Sequence, residues 1–145
     1  MPDTSQTYAN HTRWHPLFHF FILPVMLINF VWSIVECVES PGRNQAWWIV
    51  VSAALVGLAF VARTNALKVQ DRIIRLEERL RYQQLLPADI AQQAGLLAIG
   101  QIVALRFSSD GELEGLVSEV AAGRLTKSSE IKKAVKNWRG DTFRV

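Results

Sequence analysis

Residues 17–35 read LFHFFILPVMLINFVWSIV, and residues 46–62 read AWWIVVSAALVGLAFVA. The first stretch has no charged side chain and 15 apolar residues out of 19. As a helix it is about 28 Å long, close to the thickness of a bilayer core. The second stretch opens with Trp47 and Trp48, as is typical at a membrane–water interface. The sequence therefore predicts two transmembrane helices.

The segments around these spans complete a hairpin. Residues 36–45 connect the spans and contain the turn signal Ser40-Pro41-Gly42. Within the first span, Pro24 is expected to kink the helix or to free a carbonyl that a neighbour must satisfy.

The basic residues predict how the hairpin is oriented. The connecting segment carries Glu36, Glu39 and a single Arg43. Several basic residues come after the second span: Arg63, Lys68, Arg72, Arg75, Arg79 and Arg81. By the positive-inside rule the C-terminal side is cytoplasmic. Two spans then place residues 1–16 in the cytoplasm as well, with the 36–45 loop facing outward.

Composition limits the size of any domain outside the spans. The chain has 145 residues, of which 50% are hydrophobic and 20% charged, and the apolar excess lies in the two spans. One small soluble domain is all that the remaining length allows. Cys37 is the only cysteine, which excludes an intramolecular disulfide and a cysteine-based zinc cluster.

The second span is predicted to continue as a long cytoplasmic helix over residues 63–86, because neither Gly nor Pro occurs there. Pairs at i, i+4, such as Glu77 with Arg81, support this helix. Apolar residues recur at spacings of four and three, the pattern of a coiled-coil seam: Ala62, Ala66, Val69, Ile73, Leu76 and Leu80. The seam is expected to pack on the C-terminal domain or on a second copy of the chain.

Residues 87–145 are predicted to form a small helical domain. Pro87 begins a new helix or ends the long one. Three further stretches have helical patterns: residues 96–107, which are apolar on most sides, residues 112–122, which Gly123 ends, and residues 128–139. The predicted fold is thus all-α, a transmembrane hairpin whose second span continues into a long helix and a C-terminal helical domain.

The three histidines, His11, His15 and His19, are spaced four residues apart and are candidate ligands for a metal or haem. Pro16 disfavours helical geometry at His15, which argues against this site. The alternative is that His11 and His15 are polar interface residues and that His19 hydrogen-bonds to the second span. No cofactor is assigned.

Other polar and small residues have predicted contacts. Asn29 lies deep in the first span, where an unpaired amide is costly, and should bond to Ser52 or to Asn29 of a second chain. Ala53 and Gly57 have the small-xxx-small spacing of closely packed helices. Basic residues of the last predicted helix are candidates for contact with lipid headgroups or a partner: Lys132, Lys133, Lys136 and Arg139. No nucleic-acid partner is expected, because acidic residues interrupt the basic stripe and no recognition motif occurs.

Motifs along nearly the whole chain resemble an uncharacterised family of small two-span bacterial membrane proteins with a domain of unknown function. The residues that carry the resemblance are Gln6, Tyr8-Ala9-Asn10-His11, Arg13, His15-Pro16, His19, Ala104-Leu105-Arg106-Phe107, Asp110, Glu112-Leu113, Ile131-Lys132-Lys133, Trp138-Arg139-Gly140-Asp141 and Arg144-Val145. The resemblance implies a bacterial source, and hence the inner membrane, but no activity, cofactor or catalytic residue.

No phosphate-binding loop, dinucleotide fingerprint, nucleophile elbow or zinc-protease motif occurs, so the chain is not expected to be an enzyme. The leading hypothesis is a membrane scaffold or accessory subunit that self-associates or joins a larger membrane complex. An oligomeric channel or transport component lined by Asn29 and His19 is one alternative. A histidine-ligated metal or haem subunit is the other.

Overall fold

A computed structural model describes residues 6–10 and 14–141 of the chain. This described part is helical, and the prediction of an all-α fold is confirmed. After a π-helical turn at Phe18–Ile22 come six α-helices: α1 (Leu23–Glu39), α2 (Arg43–Leu85), α3 (Ala88–Leu96), α4 (Ile99–Leu105), α5 (Asp110–Ala121) and α6 (Ser128–Ala134). They form two compact units, the hairpin unit (residues 14–67) and the helical unit (residues 6–10 and 68–141).

In the hairpin unit, the π turn lies immediately before Pro24. Leu23 N–H donates to Phe18 O, five residues earlier. Pro24 has no N–H, and its ring would clash with the carbonyl four residues earlier in a regular helix. A wider turn at this point avoids that clash. The irregularity expected at Pro24 thus takes the form of a π turn.

The π turn and α1 together form a helix of 22 residues, Phe18–Glu39, which is longer than the predicted first span, and α2 is longer than the second. Only residues 40–42 separate α1 from α2. Ser40 N–H still donates to Glu36 O over 2.9 Å, which completes the last turn of α1. α2 is a single helix of 43 residues. It ends at Leu85 because Pro87 disfavours helical geometry at Leu86.

The helical unit has a continuous apolar core. Its buried members come from the end of α2 and the residue after it, from α3, α4 and α5, and from residues 131–135: Tyr82, Leu86, Ala94, Ala104, Leu105, Leu113, Leu116, Val117, Val120, Ile131 and Val135. Gly123 comes after α5 with a φ of 75°, a left-handed conformation that glycine adopts without strain. The core therefore joins all the short helices to the buried face of α2.

The chain between residues 96 and 107 is not one element. α3 ends at Leu96, which is 83% exposed, and α4 begins at Ile99. The predicted burial of this stretch holds for its second half, where Ile102 and Phe107 are fully buried.

The last helix ends at Ala134 and not at the predicted Arg139. Backbone N–H groups of Lys136 and Asn137 donate to the Glu112 carboxylate, each over 3.1 Å, and so leave the helical pattern. Arg139 N–H then donates to Phe107 O over 2.7 Å. The same carboxylate accepts from Ser109 N–H at the start of α5, so Glu112 ties two segments together.

Replacing each of two leucines with alanine tests this core. Leu113→Ala, at a fully buried position in α5, should lower the unfolding free energy of the full chain by about 2–5 kcal/mol because it leaves a cavity. Leu96→Ala should change it by less than about 0.5 kcal/mol, since that side chain is 83% exposed. Urea unfolding in a mild detergent measures both. Equal effects of the two substitutions would contradict this packing of α5 and α3.

Candidate functional site

The most elaborate polar arrangement in the helical unit surrounds Arg81 of α2. Its Nη2 donates to Asp110 Oδ1 over 2.6 Å and to Ser108 O over 2.8 Å. Its Nε also reaches Asp110 Oδ1, over 3.0 Å, and its Nη1 donates to Glu78 Oε2 over 3.1 Å. A planar guanidinium can make all these bonds at once because its donors form a fixed fork. Arg81 is buried and joins α2 to the start of α5.

Glu78 lies between two arginines. Besides the bond from Arg81, its Oε1 is 3.5 Å from Arg139 Nη1. Burial raises the pKa of Glu78 above its ordinary value, although the charges of Arg81 and Arg139 act in the opposite direction. Burial also raises the pKa of the neighbouring Tyr82, and the Glu78 charge adds to that shift. The Tyr82 hydroxyl has no hydrogen-bond partner among the described residues.

A groove of about 760 Å³ runs beside this cluster. Side chains of both signs line it, namely Glu77, Glu78, Arg81, Arg106, Asp110, Arg139 and Asp141. Arg81 and Arg139 both pair with carboxylates, and Arg106 Nη2 lies 3.4 Å from Asp141 Oδ2. The three arginines of the groove thus each face at least one carboxylate, an arrangement that positions segments of the chain.

The candidate ligand histidines have local partners where the structure describes them. Phe18 N–H donates to His15 Nδ1 over 3.3 Å, and His15 N–H donates to His19 Nδ1 over 3.1 Å. These bonds satisfy N–H groups at the start of a helix, which have no intrahelical partner. The expected bond from His19 to the second span is absent in the described part of the chain. His11 lies outside the described residues, within which no group of three or more potential ligands could hold a metal.

The polar residues of the two spans meet inside the hairpin unit. Asn29 Nδ2 donates to Ser52 Oγ over 2.8 Å, and Ser52 is one of the two partners predicted for Asn29. Ser33, which was not among the predicted contacts, lies 2.9 Å from Ser52, oxygen to oxygen. Both serines are buried. Ala53 and Gly57 are exposed, so their predicted role in helix packing remains open for a partner outside this chain.

The four basic candidates differ in their surroundings. Lys132 lies over the Phe107 ring, and Lys133 over the Tyr8 ring, each 5.6 Å from the ring centroid. Lys136 is exposed, and Arg139 reaches Glu78. Their contact with lipid or a partner stays a prediction.

The predicted seam of α2 faces away from the core of the helical unit. Its members there are Val69, Ile73, Leu76 and Leu80, which are between 51% and 61% exposed. The residues that α2 buries within the helical unit lie on the other side of the helix: Ile74, Glu78, Arg81 and Tyr82. Among the described residues, this part of the seam therefore does not pack on the C-terminal domain, one of its two expected partners. The sequence predicted an ion pair between Glu77 and Arg81. In the structure Arg81 instead pairs with Glu78 and Asp110.

Sequence reasoning missed the cluster around Arg81. The only signal is that Glu78 and Arg81 share a helical stripe with Ile74 and Tyr82. Charged residues in such a stripe are usually solvated, and nothing local to α2 shows that Asp110 lies against it from the start of a distant helix.

Comparison with known proteins identifies one family. A sequence model described as a family of unknown function (DUF6526) matches residues 1–145. No curated protein and no solved structure matches the chain.

Arg81→Ala should destabilise the full chain by about 3–5 kcal/mol, because it leaves the buried Glu78 carboxylate without its main partner. Arg124→Ala removes an exposed pair with Glu119 and should have a much smaller effect. Urea unfolding in mild detergent compares the two variants. If Arg81→Ala were as mild as Arg124→Ala, Arg81 would not hold α2 to α5.

Glu78 should also make stability depend on pH. A glutamate with a raised folded-state pKa binds its proton more tightly when folded. Its stabilising contribution is complete below the unfolded value of 4.5 and is lost as the pH rises through the folded pKa. Relative to Glu78→Gln, the natural chain should therefore lose unfolding free energy as the pH rises from 4.5 through the raised folded-state pKa of Glu78.

Glu119→Gln provides the control of opposite sign. The hydrogen bond from Arg124 lowers the pKa of Glu119, so its contribution is present above 4.5 and is lost as the pH falls. Urea unfolding over a pH series yields both difference curves. Curves of the same sign would contradict the assignment for Glu78.

Proposed function

We propose that this chain, which belongs to the family of unknown function DUF6526, is a membrane scaffold that self-associates and has no enzymatic activity of its own. Two helices, Phe18–Glu39 and Arg43–Leu85, are long and apolar enough to cross a membrane. In the most apolar 18-residue stretch of each helix, only 6% and 11%, respectively, is buried within the chain. Core helices of a soluble protein would be mostly covered, so this exposure supports a lipid environment.

The proposed location is the bacterial cytoplasmic membrane, with both termini in the cytoplasm. The count of basic residues after the second span supports this orientation. The helical unit is then cytoplasmic, and residues 40–42 form the outward turn between the helices.

The exposed seam of α2 carries the proposal of self-association. Four large apolar side chains, Val69, Ile73, Leu76 and Leu80, lie along one line of the helix, each more than half exposed. In water, burying the exposed part of each would contribute roughly 1 kcal/mol. A second copy offers the same line of side chains, and two-fold symmetry matches the line to itself.

The charges beside the seam favour a parallel pair. With Ile73 and Leu80 at heptad position a, and Val69 and Leu76 at d, Arg72 occupies g and Glu77 occupies the next e. Parallel helices bring g of one chain to e of the other, so Arg72 meets Glu77 twice per dimer. Antiparallel helices bring g positions together and set Arg72 near Arg79. Two copies inserted with the same orientation also have parallel α2 helices.

A charge exchange tests this register. Arg72→Glu should weaken self-association about 5- to 30-fold at low salt, because two attractive contacts become repulsive, a change of about 1–2 kcal/mol. The double variant Arg72→Glu/Glu77→Arg restores opposite charges and should recover most of the affinity. Sedimentation equilibrium of the full chain in mild detergent measures the dissociation constant of the dimer.

Arg75→Glu is the matched control, since it makes the same change of charge at position c, away from the partner. It should leave the dissociation constant nearly unchanged. Equal effects of Arg72→Glu and Arg75→Glu, or no recovery in the double variant, would refute the parallel seam.

A further inference from the structure

The amide of Asn29 is only partly satisfied within the hairpin unit. One of its N–H groups donates to Ser52 Oγ over 2.8 Å. Its carbonyl oxygen Oδ1 and its second N–H have no partner among the described residues, and the residue is exposed. An amide that needs up to four bonds thus makes one.

The nearby serines cannot supply the missing donor. Ser33 Oγ donates to Asn29 O over 2.8 Å, and this uses the hydroxyl hydrogen of Ser33. The 2.9 Å contact between the two hydroxyl oxygens then uses the hydrogen of Ser52, which donates to Ser33. Neither serine has a hydrogen left for Asn29 Oδ1, because each hydroxyl has only one.

The surroundings of Asn29 on the outside of α1 are apolar. Val25, Ile28 and Trp32 share its exposed side at helical spacing and are 50–66% exposed. In the proposed membrane these side chains face lipid, which can neither donate nor accept hydrogen bonds. Polar groups left unsatisfied in hydrocarbon cost several kcal/mol each. A polar partner at the depth of Asn29 is therefore favoured.

We propose that this partner is Asn29 of a second copy, so that the two amides form a reciprocal pair inside the membrane. Copies inserted with the same orientation are related by a two-fold axis along the membrane normal, which places identical residues at identical depth. Each Oδ1 then accepts from the free N–H of the other amide, while both bonds to Ser52 remain. The inference rests on the proposed self-association but uses a different surface, on α1 and not on the seam of α2.

Cysteine crosslinking in native membranes tests the pair. In a Cys37→Ser background, single cysteines at Val25 or Trp32 lie on the side of Asn29, and single cysteines at Leu27 or Ile34 lie on the opposite side of α1. Oxidation should yield disulfide-linked dimers from Val25→Cys and Trp32→Cys and little from the other two. Adding Asn29→Leu should lower the yield about fivefold to tenfold, since two interhelical amide bonds are lost. Asn29→Gln should retain most of it.

Equal yields on both sides of α1, or yields unchanged by Asn29→Leu, would overturn the amide pair. Leu76→Cys in the same background reports the seam separately. Crosslinks at Leu76→Cys without any at Val25→Cys or Trp32→Cys would refute the amide pair alone. The reverse result would refute the seam and leave the amide pair standing, and no crosslink at any of these positions would refute both.

Discussion

The buried guanidinium of Arg81 is the interaction on which the arrangement of the helical unit depends. A charge in an apolar surrounding is tolerated only when its donors are satisfied, and Arg81 finds Glu78, Asp110 and the carbonyl of Ser108. These partners come from α2, from the first residue of α5 and from the segment before it. Arg81 therefore determines which side of α2 faces the short helices.

The orientation of α2 set by Arg81 also determines what its opposite side exposes. Once Ile74 and Tyr82 face the core, the line through Ile73 and Leu76 must face outward, because helical geometry separates the two stripes. This apolar line on the side of α2 away from the core is a surface without a partner in the described part of this chain. In α1, Asn29 likewise lacks a complete set of partners, because its amide can make more hydrogen bonds than Ser52 provides. Both observations concern groups that a single copy leaves uncovered.

How far the sequence anticipates this structure depends on the range of the interactions involved. The apolar stretches, the long α2 and the stop at Gly123 result from local composition, and these were predictable. The early end of α6 was not, because it depends on Glu112, which accepts from Lys136 and Asn137 across the domain. The partners of Arg81 were missed for the same reason. A pair at i, i+4 with Glu77 was the local expectation, and a distant carboxylate took its place.

Native mass spectrometry of the full chain, released from a mild detergent, tests the central claim most directly. The claim is that the face of α2 opposite Arg81 is covered by a second copy. The account predicts a dimer whose fraction Leu76→Glu lowers strongly, because a charge on the seam cannot be buried without a partner. A strict monomer of the natural chain at all concentrations, or a dimer indifferent to Leu76→Glu, would contradict it.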